Sequence, residues 1–395
     1  MRFLPNYIDR KFILLCLASL FFYFSFNMIL PELNGYIETL GGHDYKGYIL
    51  FLFTLFAAFS RPFSGKLVDN YGRVPTMIFG SAVACLASLF YPFASTLFLF
   101  FALRCFHGLS TGFTPTGNTA MVSDIIPANK RGEAMGTLGF VGSIGMASGP
   151  VVGSFLKNNY GYNIMFYTSA FFAFISMIVV IKIKETLPNE KRKPFGLHLI
   201  QVKIKDIFEP RVLKPTAVFF LFCLGYGCIY AVIPDLAKIK FNITNLGNFF
   251  AIAISSSFLA RFAGGYYSDK KGREPVVFIA ILLMAIALLI LGLSNTITLF
   301  YLGAVLFGIS NGINAPSIMA WATDLSLIEK RGRAFSTLFI GMEFGIGFGA
   351  LLSTKLFNNS LENTILCFVS IACICAIGLI LIFFWKVNYF KHRRI

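Results

Sequence analysis

The feature that most constrains this chain is a series of twelve apolar stretches, each long enough to cross a lipid bilayer. Roughly twenty consecutive apolar residues form a helix that spans the hydrocarbon core of a membrane. The stretches lie at 12–31, 47–64, 76–93, 97–122, 134–156, 162–181, 215–234, 246–266, 276–293, 297–322, 334–357 and 364–385. We therefore predict an all-α integral membrane protein with twelve transmembrane helices.

The composition indicates the same surroundings. Of the 395 residues, 56% are apolar and 13% are charged, whereas an ordinary soluble domain is about one quarter charged. A chain of this length has too few polar groups to cover a globular surface. Membrane lipids are therefore the expected neighbours of most of its outward-facing side chains.

The cysteines indicate neither disulfides nor a metal site. All eight lie within apolar stretches, and no pair combines the spacing of metal ligands with a nearby histidine. Cysteines in such positions are small packing residues. We expect no bound metal.

The positive charge reflects the membrane topology of the chain and does not indicate a nucleic-acid partner. The formal net charge is +16, from 34 basic and 18 acidic residues. With the N-terminus placed inside, 26 basic residues fall in inner segments and five in outer loops. This asymmetry is the positive-inside rule, so we expect both termini to be cytoplasmic and no binding of nucleic acid.

The chain contains an internal repeat with an offset of 200 residues. GKLVDNYGRVP at 65–75 recurs as GYYSDKKGREP at 265–275, and KRGEAMGTL at 130 recurs as KRGRAFSTL at 330. Gly108, Ser110 and Gly112 recur in the same register at 308, 310 and 312. We predict two tandem six-helix units of equal orientation, at 1–183 and 215–395, joined by a linker at 184–214.

The linker has its own pattern. It is basic, and the stretch FGLHLIQVKIKDIF places apolar residues at nearly helical spacing. This pattern predicts an amphipathic helix on the cytoplasmic surface of the membrane. Its role is either that of a passive tether or that of a regulatory element.

The first charged turn and two further motifs lie in order along the first half. They are GKLVDNYGRV between spans 2 and 3, RCFHGLSTG at 104–112 in span 4, and GMASGPVVGS at 145–154 in span 5. Together they resemble the signatures of the major facilitator superfamily, in particular its twelve-span drug or metabolite:proton antiporters, over essentially the whole chain. The resemblance implies two pseudo-symmetric six-helix bundles with a substrate site near the membrane midplane between them.

The resemblance also assigns a gate to the charged turns. It implies that Asp69 caps span 11 and Asp269 is placed equivalently against span 5, so that each contact joins the two halves. The arginine of each turn would pair with an aspartate at the inner end of span 4 or span 10. These contacts would close the inner side and break when it opens. The residues of this predicted inner gate are Gly65, Asp69, Gly72, Arg73, Asp124, Asp269, Arg273 and Asp324.

The first turn departs from the family pattern at two positions. Asn70 and Val74 stand where basic residues are usual, which thins the charge network. The alternative to a gate is a solvated loop whose charges only set the topology.

Two charges lie deep within spans and are candidates for proton coupling. Arg104 is about eight residues into span 4, and the repeat has Ala304 in its place. Glu343 would lie about 14 Å deep in span 11, at 1.5 Å per residue. Such residues are costly in a membrane and are functional candidates. Our hypothesis is that Arg104 and Glu343 form a proton-sensitive pair, with structural hydrogen bonding as the alternative for each.

His107 lies one turn after Arg104. Histidine is the residue type that changes charge near neutral pH. We keep two interpretations open, proton handling and an interhelical hydrogen bond.

The glycines of span 5 predict close helix packing. Gly145, Gly149 and Gly153 recur every four residues, and Pro150 kinks the span. We expect this face to seal the outer half of the first unit against the other unit. By resemblance, the motif favours export.

Two acids and several polar side chains complete the candidate set. Glu32 and Asp235 each follow a proline at an outer helix end, so either they form an outer gate or attract cations, or they are interfacial caps. Aromatic and amide side chains are candidates for lining the cavity. These are Tyr23, Asn27, Tyr226, Tyr230, Asn311 and Asn314.

We interpret the chain as a secondary transporter that works by alternating access, is not an enzyme, and exports a small amphipathic compound in exchange for protons. A bacterial inner membrane is the expected location and a monomer the expected state, with the proton gradient as energy source and no cofactor. A proton-coupled importer of a nutrient is the alternative, and a non-transporting sensor a remote one. No phosphate-binding loop of the form G-x-x-x-x-G-K-[ST] is present.

Overall fold

The computed structural model describes residues 9–127, 131–194, 196, 207–243, 245–327 and 331–392. Across these residues the regular structure is helical, and no strand occurs among them. The predicted amphipathic helix of the linker lies mostly outside the described residues.

Twelve α-helices account for the described chain. They are α1 (Arg10–Ile29), α2 (Leu33–Thr39), α3 (Lys46–Asn70), α4 (Arg73–Phe90), α5 (Leu97–Ile125), α6 (Arg131–Ile181), α7 (Leu213–Phe241), α8 (Gly247–Lys271), α9 (Arg273–Leu293), α10 (Ile297–Leu325), α11 (Arg331–Phe357) and α12 (Thr364–His392).

The helices do not correspond one to one with the predicted spans. The first span continues through a short 3₁₀ turn into α2, so that Arg10–Thr39 forms one membrane-crossing element. Conversely, α6, with 51 residues, holds the predicted spans 5 and 6 as two helices joined at a kink. The described chain thus has eleven candidate membrane elements, and α6 is long enough to cross twice, which agrees with twelve spans.

The two spans within α6 meet at one residue. Gly161 leaves the helical conformation with φ 84° and ψ 173°. Positive φ is a region that glycine enters without steric cost. A break of one residue, rather than the loop that the sequence predicted between spans 5 and 6, separates them.

Helix starts repeat at the same offset as the sequence. Thr96 accepts a hydrogen bond from the Leu99 amide at the start of α5, and Thr296 does the same for Leu299 at the start of α10, both at 3.3 Å. A threonine N-cap supplies an acceptor for one of the unpaired amides of a helix start. The repeat therefore extends to the hydrogen bonds that begin these helices.

The described chain forms two compact units. The first comprises the described parts of Met1–Gly42 and Leu55–Ile207, and the second those of His43–Thr54 and Phe208–Ile395. The first turns of α3 therefore belong to the second unit, although the sequence repeat assigns all of span 2 to the first half. The reason is packing, since Gly47 has no side chain to collide with Thr354 of α11, and Gly347 of α11 lies against Thr54.

Serine hydroxyls join helices within the first unit. The hydroxyl of Ser25 in α1 donates to the Ser169 carbonyl of α6 at 2.8 Å, and Ser176 of α6 donates to the Ala18 carbonyl at 2.8 Å. Ser88 of α4 lies 3.0 Å from the Ser169 hydroxyl. Such interhelical hydrogen bonds hold membrane helices in a fixed rotation relative to each other.

Candidate functional site

The charged turn of the first unit lies between α3 and α4. The predicted ion pair is present, with the Arg73 Nε 2.9 Å from Asp124 Oδ2. Asp69 lies 3.9 Å from the same guanidinium and has a largely exposed side chain. Gly72, the N-cap residue of α4, has φ 151°. The turn thus brings its acid, its arginine and Asp124 of α5 together.

Sequence reasoning missed a second acid at this turn. Glu185, which follows α6, accepts hydrogen bonds from the backbone amides of Arg73 at 3.1 Å and Val74 at 2.9 Å. A carboxylate at a helix N-terminus satisfies unpaired amides and complements the helix dipole. The next residue, Thr186, donates to Asp124 at 2.6 Å. No local pattern distinguishes Glu185 from the other charges of the linker.

The turn of the second unit holds its charges differently. The Arg273 Nε lies 2.8 Å from Asp324 Oδ2, as predicted, and the same guanidinium contacts Asp269 directly. Gly272, the N-cap residue of α9, has φ 91°. At the register position of Glu185 the second half has Trp385. The contacts of Asp69 with span 11 and of Asp269 with span 5 stay predictions.

The glycines Gly65 and Gly265 lie four residues before these acids. A Cβ at either position would meet nothing within 4 Å. Close packing within the described structure therefore does not require them, and the gate role assigned to Gly65 stays a prediction.

The buried arginine of α5 belongs to a polar cluster in the first unit. Arg104 is fully buried, and its Nη1 donates to the hydroxyl of Tyr91 at 3.2 Å. The same hydroxyl lies 3.3 Å from Nδ1 of His107, which is also fully buried. Because a guanidinium can only donate, the tyrosine hydroxyl is free to donate to the imidazole. We call Tyr91, Arg104 and His107 the polar triad.

Tyr91 was missed by the sequence analysis. It follows α4 in a short 3₁₀ turn, and its carbonyl accepts the hydroxyl of Tyr36 at 2.7 Å. One phenol among 16 tyrosines carries no signal by itself. The fold alone brings the end of α4 to the side of α5 that bears Arg104 and His107.

The buried acid of α11 lies in the second unit. Glu343 is 4% exposed and is close enough to Cys223 and Tyr226 of α7 to act on them electrostatically. Tyr226 stacks on Tyr230 with ring centroids 4.6 Å apart, and its ring lies 5.6 Å from that of Phe307. Glu343 thus adjoins one predicted lining residue, Tyr226, which stacks on a second. Its pairing with Arg104 of the first unit stays a prediction.

The remaining candidates for lining differ in exposure. Tyr23 and Asn311 are half-buried, whereas Asn27 and Asn314 are buried. The Asn27 amide donates to the Tyr23 carbonyl within its own helix at 2.8 Å. Among the described residues, the Asn314 amide has no hydrogen-bond partner. Tyr23 and Asn311 are therefore more accessible to a ligand than the two buried asparagines.

The span-5 glycines pack within their own unit. A Cβ at Gly145, Gly149 or Gly153 would collide with the backbone of α1. Pro150 lies inside α6, between the second and third of them. The close approach that the motif predicted is present, with α1 of the first unit as the partner of these glycines. The seal against the other unit stays a prediction.

The two acids of the predicted outer gate are both buried and partnered. Glu32 accepts a hydrogen bond from Ser154 and lies 3.6 Å from the Lys157 ammonium, within the first unit. Asp235 lies 2.6 Å from the Lys46 ammonium, within the second unit. The roles as an outer gate and as interfacial caps both stay predictions. Lys46 entered the sequence analysis only as an outer-loop charge.

A small cavity adjoins the second of these pairs. It measures about 140 Å³ and is bordered by polar and charged groups. They include His43, Asp44, Lys46, Asp235, Lys355 and Asn359. Among the described residues, no group of three histidine, cysteine or acidic side chains is placed to hold a metal ion.

Comparisons with known proteins agree with this architecture. Residues 15–260 and 216–394 match the family model of the Major Facilitator Superfamily. The chain is 27% identical over 331 residues to the multidrug resistance protein MdtG of Salmonella arizonae, which covers 79% of this chain and 80% of that protein. The MdtG protein of Salmonella schwarzengrund is likewise 27% identical, over 332 residues.

Two solved structures share the fold. The human organic anion transporter MFSD10 superposes with a TM-score of 0.76 at 19% identity, over 96% of this chain and 100% of that one. A bacterial homolog of the human lysosomal transporter Spinster gives a TM-score of 0.75 at 14% identity, over 98% of each chain. At these identities the likeness concerns the fold alone.

Proposed function

Since the chain belongs to the Major Facilitator Superfamily, and is thus a multi-pass membrane transporter rather than an enzyme, we propose that it exports a small amphipathic compound in exchange for protons. Export is supported by the likeness to MdtG, whose name describes multidrug resistance. It is also supported by the Gly-Pro motif of span 5. In this proposal the two units rock about a central site by alternating access.

The observation that carries proton coupling is the burial of charges that the repeat does not require. Arg104 is fully buried and Glu343 nearly so, whereas the other half has Ala304 and Ser143 in these positions. Folding of the unit architecture therefore does not depend on either charge. Ionisable residues within membrane spans are retained mainly for transport or proton relay.

Glu343 would take up and release the transported proton. Burial favours the protonated carboxyl group, and a nearby cation favours the carboxylate. A change of access from one side of the membrane to the other changes both influences. A substrate that competes with the proton for this group would couple the two fluxes.

The stacked pair of tyrosines that includes Tyr226 favours a substrate with a flat apolar part. Tyr226 lies near Glu343, and its ring stacks on that of Tyr230. Ring faces attract apolar rings and cations. The substrate class that we propose is therefore an amphipathic compound, a drug or a metabolite, that carries both features.

The proposal includes a location and an energy source. Both termini would be cytoplasmic in a bacterial inner membrane, because the basic residues concentrate in the segments on that side. The proton gradient would supply the energy without a cofactor. The transporter would act as a monomer surrounded by lipid, with a small molecule and no nucleic acid as its partner.

Flux measurements in proteoliposomes test the proposal. Purified protein is reconstituted under an imposed pH gradient, a panel of aromatic cations is added, and a pH-sensitive dye reports proton movement. We expect substrate-dependent proton flux in the wild type and none in Glu343→Gln. Glu362→Gln, the same change at an exposed acid, is the matched control and should leave flux unchanged. Equal flux in wild type and Glu343→Gln would exclude Glu343 as the coupling group.

The direction of transport has its own readout. In inverted membrane vesicles that are energised to acidify their interior, an exporter accumulates its substrate and an importer does not. Accumulation would support export. Accumulation in right-side-out vesicles alone would favour the importer.

A further inference from the structure

A buried ion pair joins the start of α3 to the end of α7 in the second unit. Lys46 is 3% exposed, and its ammonium lies 2.6 Å from Asp235 Oδ1 and 3.2 Å from the Asn359 side-chain oxygen. A buried ion pair is stable only when further hydrogen bonds compensate the loss of water. Asn359 supplies one such bond. We call Lys46, Asp235 and Asn359 the clasp.

The clasp fixes the orientation of the Asn359 amide. A lysine ammonium can only donate, so the oxygen of the amide must face Lys46. The amide nitrogen then faces His43, whose Nδ1 lies 3.2 Å away. Because an amide NH₂ group can only donate, Nδ1 must accept. The clasp as observed therefore requires His43 to be neutral.

His43 is placed where it can exchange protons with water. Its side chain is 55% exposed, whereas the clasp that it adjoins is buried. Histidine is the side chain that changes charge between about pH 5 and pH 8. The exposed imidazole and the buried pair are thus connected through one amide group.

Charges of both signs surround His43. Asp44 lies 3.6 Å from Nδ1, but it is 83% exposed, so solvent screens its charge. Lys46 and Lys355 border the same cavity of about 140 Å³, and Asp235 there is already paired with Lys46. Protonation of His43 would add a third positive charge to this small space.

We propose that His43 is a pH sensor that releases the clasp. A proton taken from water onto Nδ1 converts the acceptor of the Asn359 amide into a donor. The amide must then turn its oxygen toward His43, which removes an acceptor from Lys46. The added positive charge weakens the ion pair further. Acid therefore loosens the junction of α3, α7 and the end of α11.

The segment that holds Asn359 is suited to change conformation. Asn358 and Asn359 follow α11 with φ 45° and 51°. Asparagine tolerates this left-handed region better than most residues, yet the region is sparsely populated. The contacts of the Asn359 side chain with Lys46 and His43 therefore help to hold the segment, and their loss would favour its rearrangement.

The first unit offers a built-in contrast. Its acid at the corresponding helix end, Glu32, contacts Ser154 and Lys157. The described contacts of this acid include no histidine, and the chain has only four histidines, none of them between 108 and 197. The pH response should therefore occur in the second unit and be absent from the end of span 5.

The meaning of the switch for transport rests on the proposed function, but the switch itself does not. In a proton-driven exporter with cytoplasmic termini, the clasp faces the acidic outer side. Protons arriving there would loosen the outer end at the stage when substrate leaves. A non-transporting protein would show the same pH response of the clasp.

Hydrogen–deuterium exchange of the full chain in lipid nanodiscs tests the switch. Exchange of peptides covering 43–49 and 355–363 is compared at about pH 5.5 and about pH 8, each normalised to the intrinsic rates of unfolded peptides. In the wild type we expect about tenfold faster normalised exchange at the acidic pH, the factor expected for loss of one hydrogen bond to a charged group. A peptide covering 153–159 is the internal control and should show no such change.

Two variants distinguish the sensor from a general effect of acid. His43→Gln cannot gain a charge and should exchange slowly at both pH values. Asn359→Asp provides oxygen acceptors for both Lys46 and a protonated His43, so it should also stay slow in acid. An acid response in His43→Gln equal to that of the wild type would overturn the proposal, as would no response in the wild type. Neither measurement requires substrate or flux.

Discussion

At equivalent positions of the repeat, the first unit has Tyr91, Arg104 and His107, and the second has Leu291, Ala304 and Phe307. Both sets are buried at the same place in their units. In the first unit, Phe26 of α1 contacts the ring of His107 at 5.9 Å, and in the second, Tyr226 of α7 contacts Phe307 at 5.6 Å. The second unit therefore shows that this location packs well without any polar group.

The two charged turns differ in a similar way. In the first unit, Glu185 caps α4, and Arg73 pairs with Asp124. In the second, Arg273 contacts both Asp269 and Asp324, and no carboxylate is described on the amides that begin α9. Each unit thus keeps the arginine–aspartate pair of the common motif. The first unit adds a carboxylate cap on α4, and the second adds a direct contact between Arg273 and Asp269. The repeat identifies what the fold needs, and the differences identify what this protein adds.

The largest effect is expected when the polar triad is converted to the residues of the second unit. The triple variant Tyr91→Leu, Arg104→Ala, His107→Phe replaces a buried polar network with an apolar set that already packs at the equivalent position. Such replacements are often neutral or stabilising, by about 1–4 kcal/mol. We expect a midpoint of thermal unfolding equal to or above that of the wild type, together with loss of proton-coupled flux in proteoliposomes.

The single variant Arg104→Ala is the control for the conversion. It leaves the volume of the side chain unfilled and should lower the stability by about 2–5 kcal/mol, the range for large-to-small changes in a core. A triple variant that unfolds would assign the triad a structural role. A triple variant that retains proton flux would exclude it from coupling.

A smaller effect is expected from one hydroxyl group. Tyr91→Phe removes one acceptor of the Arg104 guanidinium and the link to His107, which should cost about 1.5–3 kcal/mol, the range for one hydrogen bond to a charged group. Flux should fall as well. Tyr36→Phe removes a hydroxyl from the same cluster without touching Arg104. If both variants lower flux equally, the hydrogen bonds of the Tyr91 hydroxyl with Arg104 and His107 have no specific role in transport.

The smallest effect is expected at the turns. Glu185→Ala removes the carboxylate that caps α4 and should lower the stability by about 1–2 kcal/mol, as for other N-caps. Glu274→Ala, in the first turn of α9, removes only a favourable charge and should cost about 0.5 kcal/mol. The two variants are compared by thermal unfolding in detergent. Equal losses of stability in both would contradict the prediction that only the first turn depends on a capping carboxylate.

The sequence determines the fold through features that act locally. Apolar stretches of bilayer length predicted the spans, and the resemblance of the charged turns to the family's signature predicted the pairs Arg73–Asp124 and Arg273–Asp324. Other features depend on tertiary packing. The kink within α6 depends on the conformation of Gly161, and the packing of the first turns of α3 depends on contacts between glycines and threonines of distant segments. Hydropathy predicts neither the conformation of Gly161 nor the packing of the first turns of α3.

The partners of the site residues were the least predictable part. Arg104 was recognisable because a charge within a span is costly, but its acceptor, Tyr91, is an ordinary residue at the end of another helix. Likewise, no sequence pattern singles out Glu185 among the charges of the linker or Lys46 among those of the outer loops. Each acquires its role because the fold buries it or brings it to a helix end, and a single sequence does not show which of many equivalent charges that will be.

The one-residue break in α6 also limits how the chain can vary in length. Before Gly161, the helix faces α1 with Gly153, and after it the helix faces α1 with Ser169 and Ser176. An ordinary loop absorbs an inserted residue, but an insertion into a helix turns every later side chain by roughly 100°. One extra residue in the helical segment between Gly161 and Ser169 would turn both serines away from α1. This segment should therefore tolerate exchanges of side chains far better than insertions or deletions, and a tag or a protease site is better placed elsewhere.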